Sequence, residues 1–189
     1  MACGQARRWQ EAGLPPLRMS VNISAVQFRQ PDLFEVVTAA ARDADLEPRW
    51  LELELTESLL MQNPESVVVL LKRFSDEGIH LSIDDFGTGY SSLSYLRRFP
   101  IDSLKIDRAF IRELTTNPDD AAIATSIILM GKALRLNVVA EGVETRSQLS
   151  FLRVMKCQEA QGYLFSPPLP AADVERLMRA GGMLLDEAA

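Results

Sequence analysis

The chain has 189 residues, 47% of them hydrophobic and 24% charged, with ten prolines and ten glycines scattered along it. This excludes a disordered tail, a fibrous repeat and a coiled coil; the length suits one domain but falls short of the roughly 250 residues of an α/β barrel. Twenty Lys and Arg against 26 Asp and Glu leave a net charge of −6, so nonspecific attraction to duplex nucleic acid or an anionic membrane is not expected.

The first residues, Gln5–Ala12, follow a helical pattern that stops at Gly13-Leu14-Pro15-Pro16. Nothing caps the start of this helix, and it reads as one cut in the middle, as though a βα portion belonged upstream. A strand is expected over Met19–Ile23. Apolar residues Leu33, Val36, Val37, Ala40, Ala41 and Ala44 then recur at helical spacing, with Pro31 suited to the first turn. A second strand, Leu51–Thr56, precedes a helix that Pro64 opens, that carries Val67, Leu70, Leu71 and Phe74, and that Gly78 stops. Third and fourth strands are expected over His80–Asp84 and Ser103–Ile106, the latter followed by a helix opened by Pro118, whose Met and Leu residues at 129–136 are expected in the core. A fifth strand, Asn137–Ala140, leads to Thr145 and Gln148, spaced as a capping box ahead of Leu149 and Leu152, and a sixth is expected over Ala160–Phe165. Strands alternating with helices predict parallel βα units in one layered α/β domain over residues 1–189, with six units visible.

Cys3 and Cys157 form neither a disulfide framework nor a zinc pair, which points to a reducing, cytoplasmic setting. Residues 1–13 lack the apolar region of a signal peptide, and the apolar stretch 121–134 is broken by Thr125, Ser126, Gly131 and Lys132. Histidine occurs once, at His80 inside an apolar run, and is read as structural. Acid–base chemistry therefore falls to carboxylates, Lys or metal-bound water.

Polar residues close each apolar run. Asn22 ends the first, Glu54 and Glu57 lie on and after the second, and Asp84-Asp85 end the third. Lys105 and Asp107 follow the fourth, Glu141 and Glu144 the fifth, and Gln161 the last. Their spacing is about that of a strand plus crossover, roughly 30 residues. In a parallel αβ barrel such positions meet on one rim, where active sites lie. So many acids at close quarters repel one another unless cations sit among them. Oxygen donors without His or Cys favour Mg²⁺ or Mn²⁺, and adjacent Asp84 and Asp85 suit two ions, one carboxylate bridging while its neighbour binds the second. Such a pair can bind a phosphodiester, activate water and stabilise the leaving oxygen. Taken singly, Glu57, Asp107 and Glu144 are equally readable as helix caps or rim residues. Lys105 is readable as a counter-ion for Asp107 or as a group that orients water and phosphate.

The strings VNISAVQF (21–28), ELTES (54–58), DDFGTGYSSLSYL (84–96), KIDRAF (105–110), AEGVET (140–145) and QGYLFSPPL (161–169) resemble, in order and spacing, the EAL domain of bacterial cyclic di-GMP phosphodiesterases. The resemblance implies a modified TIM-like (β/α) barrel that hydrolyses cyclic di-GMP to pGpG with Mg²⁺ or Mn²⁺, Ca²⁺ acting as an inhibitory substitute. It implies Asn22, Glu54 and Asp84 as ligands of one ion, with Asp84 bridging to a second held by Asp85 and Glu141. Lys105 would contact the attacking water and Glu141 would serve as general base. Glu57 would steady the loop after Asp85, with Glu144 a second loop-stabilising acid, and Asp107 and Gln161 would complete the pocket. The segment 86–96 resembles a metal-responsive loop linked to homodimerisation, and an upstream GGDEF or sensory domain is expected in a longer protein. The Glu-Ala-Leu string that names the family is not among the 189 residues, so the barrel is expected to be N-terminally incomplete, with about six of eight strand units and impaired hydrolysis.

Two other functions compete. One is a catalytically inactive module that binds cyclic di-GMP or another protein. The other is a barrel glycosidase working through paired carboxylates, against which stands the scarcity of sugar-stacking residues, with only Trp9 and Trp50.

Overall fold

The structure is a computed structural model that describes residues 1–89 and 93–181, Leu93 by its backbone alone. After α1 (Ala2–Glu11), the chain runs through β1 (Met19–Asn22), α2 (Ala25–Phe28), α3 (Leu33–Asp43), β2 (Leu51–Thr56), α4 (Glu57–Leu60) and α5 (Pro64–Asp76). It continues with β3 (His80–Phe86), α6 (Leu93–Leu96), β4 (Ser103–Ile106), α7 (Arg108–Arg112) and α8 (Pro118–Leu134). The last elements are β5 (Asn137–Ala140), α9 (Arg146–Val154), β6 (Glu159–Ala160) and α10 (Ala171–Arg179). The strands form one parallel sheet in sequence order, β1 to β6, with β1 and β6 at its edges. This is the expected succession of βα units, curled into part of a TIM-like barrel.

The pleat divides each strand between two environments. Leu53 and Leu55 of β2, Leu81 and Ile83 of β3, Leu104 and Ile106 of β4, and Val138 and Ala140 of β5 are all buried and face the helical layer. Each such Leu, Ile or Val side chain contributes about 1.5–3 kcal/mol by leaving water. The alternate residues form the concave face. Asn22 pairs with Glu54, Glu54 with Ser82, Ser82 with Ser103, and Lys105 with Val139. Glu54, Ser82, Ser103 and Lys105 are buried there, although the interior of such a barrel is normally filled with branched apolar residues. The concave face has been given over to polar chemistry, and the convex face carries the core.

Several local expectations hold. Pro64 and Pro118 occupy first-turn positions, and Gly13 adopts a φ of 76° past the end of α1. Thr145 and Gln148 make both halves of a capping box. His80 begins β3, with Nδ1 3.5 Å from Asp102, away from the strand tips that carry the acids.

Others need correction. The first helix ends at Glu11 rather than Ala12. Pro31 precedes α3 in a turn in which Leu33 N–H donates to the Gln30 carbonyl, and Asp32 is the N-cap. The third strand runs past Asp84 to Phe86, with its register to β4 shifting between Ile83 and Phe86. The sixth strand is only Glu159–Ala160, not Ala160–Phe165. Beyond it the backbone turns to the β5–α9 loop, where Val143 N–H donates to the Gln161 carbonyl and Leu164 N–H to the Val143 carbonyl. Gly162 permits this, since a Cβ there would stand 2.3 Å from Val143 backbone atoms. In α8, Ile127, Ile128 and Gly131 are buried, and Gly131 lets the helix approach Val138, whereas Leu129 points outward and is exposed.

Candidate metal centre

The site lies at the carboxyl ends of β2 to β5. Lys105, on β4, extends along the concave face into three acids. Its Nζ stands 2.8 Å from Glu54 Oε1, 3.4 Å from Asp84 Oδ1 and 2.6 Å from Glu141 Oε1, and the side chain is 7% exposed. Burial alone would lower the Lys105 pKa, but hydrogen bonds to Glu141 and Glu54 reverse this and hold it above its ordinary value. One ammonium shared by three acids neutralises none of them fully. Accordingly, Glu141 is pushed up by burial, with Asp84 and Glu54 adding to the rise, although Lys105 opposes it.

Asp85 follows Asp84 in the left-handed region, at φ 53°, a conformation that Asp tolerates better than most residues. The turn is stabilised by the Thr88 hydroxyl, which donates to the Asp85 carbonyl at 2.9 Å. Burial raises the Asp85 carboxyl pKa, helped by a hydrogen bond to Asp107 and repulsion from Asp84. Asp107 is also the N-cap of α7, its Oδ1 accepting from Ala109 N–H at 2.6 Å. Behind this turn, buried Glu57 accepts from Gly87 N–H at 3.0 Å, and a Cβ on Gly89 would press on its Oε1 at 2.9 Å. Glu57 thus contacts the loop after Asp85.

Gln161, past β6, donates through Nε2 to Glu141 Oε1 at 2.6 Å. Asn22 lies beside Glu54 at the exposed end of edge strand β1. The Glu144 side chain is exposed on the rim of a cavity of about 450 Å³, shared with Arg108, Glu141, Gln161 and Tyr163. The Glu144 N–H donates to Gln148 Oε1 at 2.8 Å. Sequence reasoning passed over Arg108, which the KIDRAF string places directly after Asp107 at the mouth of this cavity. Residues 90–92 of the segment expected to mediate dimerisation lie outside the described residues.

One oxygen each from Asp84, Asp85 and Glu141 lie within 4.8 Å of one another. Asp84 Oδ1 is buried and makes only a long contact, 3.4 Å, with the Lys105 ammonium, which sits closer to Glu54 and Glu141, so its charge is only partly balanced. An all-oxygen donor set whose acids outnumber the one ammonium among them fits a hard divalent cation.

The EAL domain family model matches residues 1–168. Cyclic di-GMP phosphodiesterase NbdA of Pseudomonas aeruginosa is 49% identical over 179 residues, which cover 95% of this chain and 23% of that protein. The chain thus spans about a quarter of the length of the curated relatives it matches. Among solved structures, the PaMucR phosphodiesterase in complex with c-di-GMP is similar at a TM-score of 0.89 and 46% identity, covering 92% of this chain and 70% of that one. Klebsiella pneumoniae BlrP1, in its manganese/cy-diGMP complex at pH 9.0, is similar at a TM-score of 0.79 and 31% identity, covering 88% of this chain and 42% of that one.

Proposed function

The chain belongs to the EAL domain family, and from that membership we propose that it hydrolyses cyclic di-GMP to linear pGpG with two divalent cations, Mg²⁺ or Mn²⁺. The observation that carries this reading is the convergence of Glu54, Asp84 and Glu141 on a single buried ammonium, Lys105, with Asp84 Oδ1 the most distant of the three at 3.4 Å. In this reading Asn22, Glu54 and Asp84 hold one cation, and Asp84, Asp85 and Glu141 hold the other. When bound, the cations supply a water of lowered pKa and neutralise charge on the scissile phosphodiester.

The remaining work falls to the chain's own side chains. Lys105 keeps three acids from splaying apart and presents a fixed positive charge to an anionic ligand. Glu141 takes the proton of the attacking water as general base. Gln161 fixes the Glu141 rotamer through their 2.6 Å hydrogen bond. Glu57 anchors the Asp85 turn through Gly87, Asp107 sets the position of Asp85, and Glu144 lines the mouth of the pocket. In the overall reaction water adds to one phosphorus, one P–O3′ bond breaks, and the departing 3′ oxygen is protonated. Ca²⁺, larger and less demanding of octahedral geometry, would be held by the same residues as an inhibitory substitute. Two free cysteines suit a reducing cytoplasm, and segment 86–96 is the proposed contact between two copies. Among the described residues no helix is long and apolar enough to cross a membrane.

The test is to incubate the protein with cyclic di-GMP and Mn²⁺ and to separate the nucleotides by chromatography. Formation of pGpG that chelation stops supports hydrolysis. Tight binding of cyclic di-GMP without pGpG would replace it with the binding-module reading.

A further inference from the structure

Gln148 is 5% exposed, and its side chain makes four hydrogen bonds. Its Oε1 accepts from Glu144 N–H and Thr145 N–H, both at 2.8 Å, while its Nε2 donates to the Ile111 carbonyl at 3.0 Å and the Arg112 carbonyl at 3.1 Å. That uses the full capacity of a carboxamide. A capping box needs only the bond to the N-cap amide, so both bonds to α7 exceed what capping α9 requires. They fall on carbonyls of the last turn of α7, of which that of Ile111 also accepts from Leu114 N–H at 3.2 Å.

The consequence lies in what the two bridged segments carry. Helix α7 is capped by Asp107, which faces Asp85, and the bridged loop begins at Glu141, which contacts Lys105. The loop also rests on the first turn of α7. Gly142 has φ 71°, and a Cβ there would stand 2.6 Å from Arg108 Cβ. The 141–145 loop therefore meets both ends of this five-residue helix, and Gln148 makes the polar half of the contact.

We infer that Gln148 is a positioning residue for the acidic centre, locking the loop that carries Glu141 to the helix that carries Asp107. This inference rests on the metal-site reading above. Gln148 touches neither ion nor nucleotide; it sets the separation of acids on two different strand ends.

The test compares Mn²⁺ affinity, read by electron paramagnetic resonance of free Mn²⁺, across variants whose folding is verified by circular dichroism. Gln148→Glu keeps the acceptor oxygens of the capping box but places a carboxylate against two carbonyls of α7. It is expected to weaken Mn²⁺ binding roughly tenfold or more, as loss of a group that orients metal ligands does. Gln148→Met loses both bridges at similar length, is expected to do the same, and carries the test if Gln148→Glu fails to fold. Thr145→Ala removes the other half of the capping box and leaves the bridge, so its affinity is expected to stay within about twofold of wild type, a small share of that tenfold loss. Folded Gln148 variants with wild-type affinity would overturn the inference, as would a Thr145→Ala loss as large as theirs. Mn²⁺ binding that survives Asp84→Asn with Gln148 left in place would instead overturn the site reading, and the inference with it.

Discussion

Lys105→Met tests the electrostatic core of the site. In the wild-type protein one buried ammonium lies 2.6 to 3.4 Å from three carboxylates. At an effective dielectric of about 20, each contact is worth roughly 5–6 kcal/mol of gross Coulomb attraction. Most of that is offset by the cost of removing four charges from water. Deleting one partner of a buried ion pair leaves the others uncompensated, and the expected loss is about 3–5 kcal/mol. For a chain of this length 1 kcal/mol corresponds to roughly 2–4 °C in Tm, so the metal-free variant should melt about 6–20 °C below wild type in a thermal scan at pH 7. Saturating Mn²⁺ supplies the missing positive charge and should stabilise the variant more than the wild type, narrowing the gap. A metal-free loss under about 1 kcal/mol, within the range of an exposed ion pair, would refute the reasoning, as would a gap that Mn²⁺ leaves unchanged.

The same geometry predicts other outcomes. Asp84→Asn should reduce Mn²⁺-dependent pGpG formation more than about a hundredfold, because even residues that only orient metal ligands cost 10–100-fold; turnover assays at saturating Mn²⁺ check this. Asp85 and Glu141 have folded-state pKa values above their ordinary 3.8 and 4.5. The stability they contribute is present below those ordinary values and is lost as pH rises through the raised ones. Asp85→Asn should therefore raise the metal-free Tm at pH 7 and leave it nearly unchanged at about pH 3; equal shifts at both would contradict the assignment. Gly162→Ala would place a methyl 2.3 Å from Val143 backbone atoms and should cost about 1–3 kcal/mol, measured by urea denaturation.

Much of the site was legible because a two-residue period carries it. Leu51-Glu52-Leu53-Glu54-Leu55 alternates where a parallel strand buried on both faces would be apolar throughout, so the alternation itself marks β2 as lining a polar interior. The doublet Asp84-Asp85 stands out for the same reason, a like-charge cost at the end of an apolar run. The short β6 was not legible, because what ends it is the approach of Val143, a residue of another segment, to Gly162. Leu129 was misplaced because α8 is apolar nearly all round, and periodicity does not then choose the buried face. The three-way role of Lys105 and the bridge from Gln148 to α7 depend on contacts across 21 to 51 residues, which no local pattern encodes. From sequence, Gln148 is half of a capping box and nothing more.

The central claim is that acids from neighbouring parallel strands gather divalent cations for phosphodiester cleavage. Crystals grown with Mn²⁺ and measured at the manganese absorption edge test it most directly. The account predicts two anomalous peaks, one shared by Asp84, Asp85 and Glu141 and the other by Asn22, Glu54 and Asp84. Manganese bound only elsewhere, with Lys105 still closing the three carboxylates together, would contradict it.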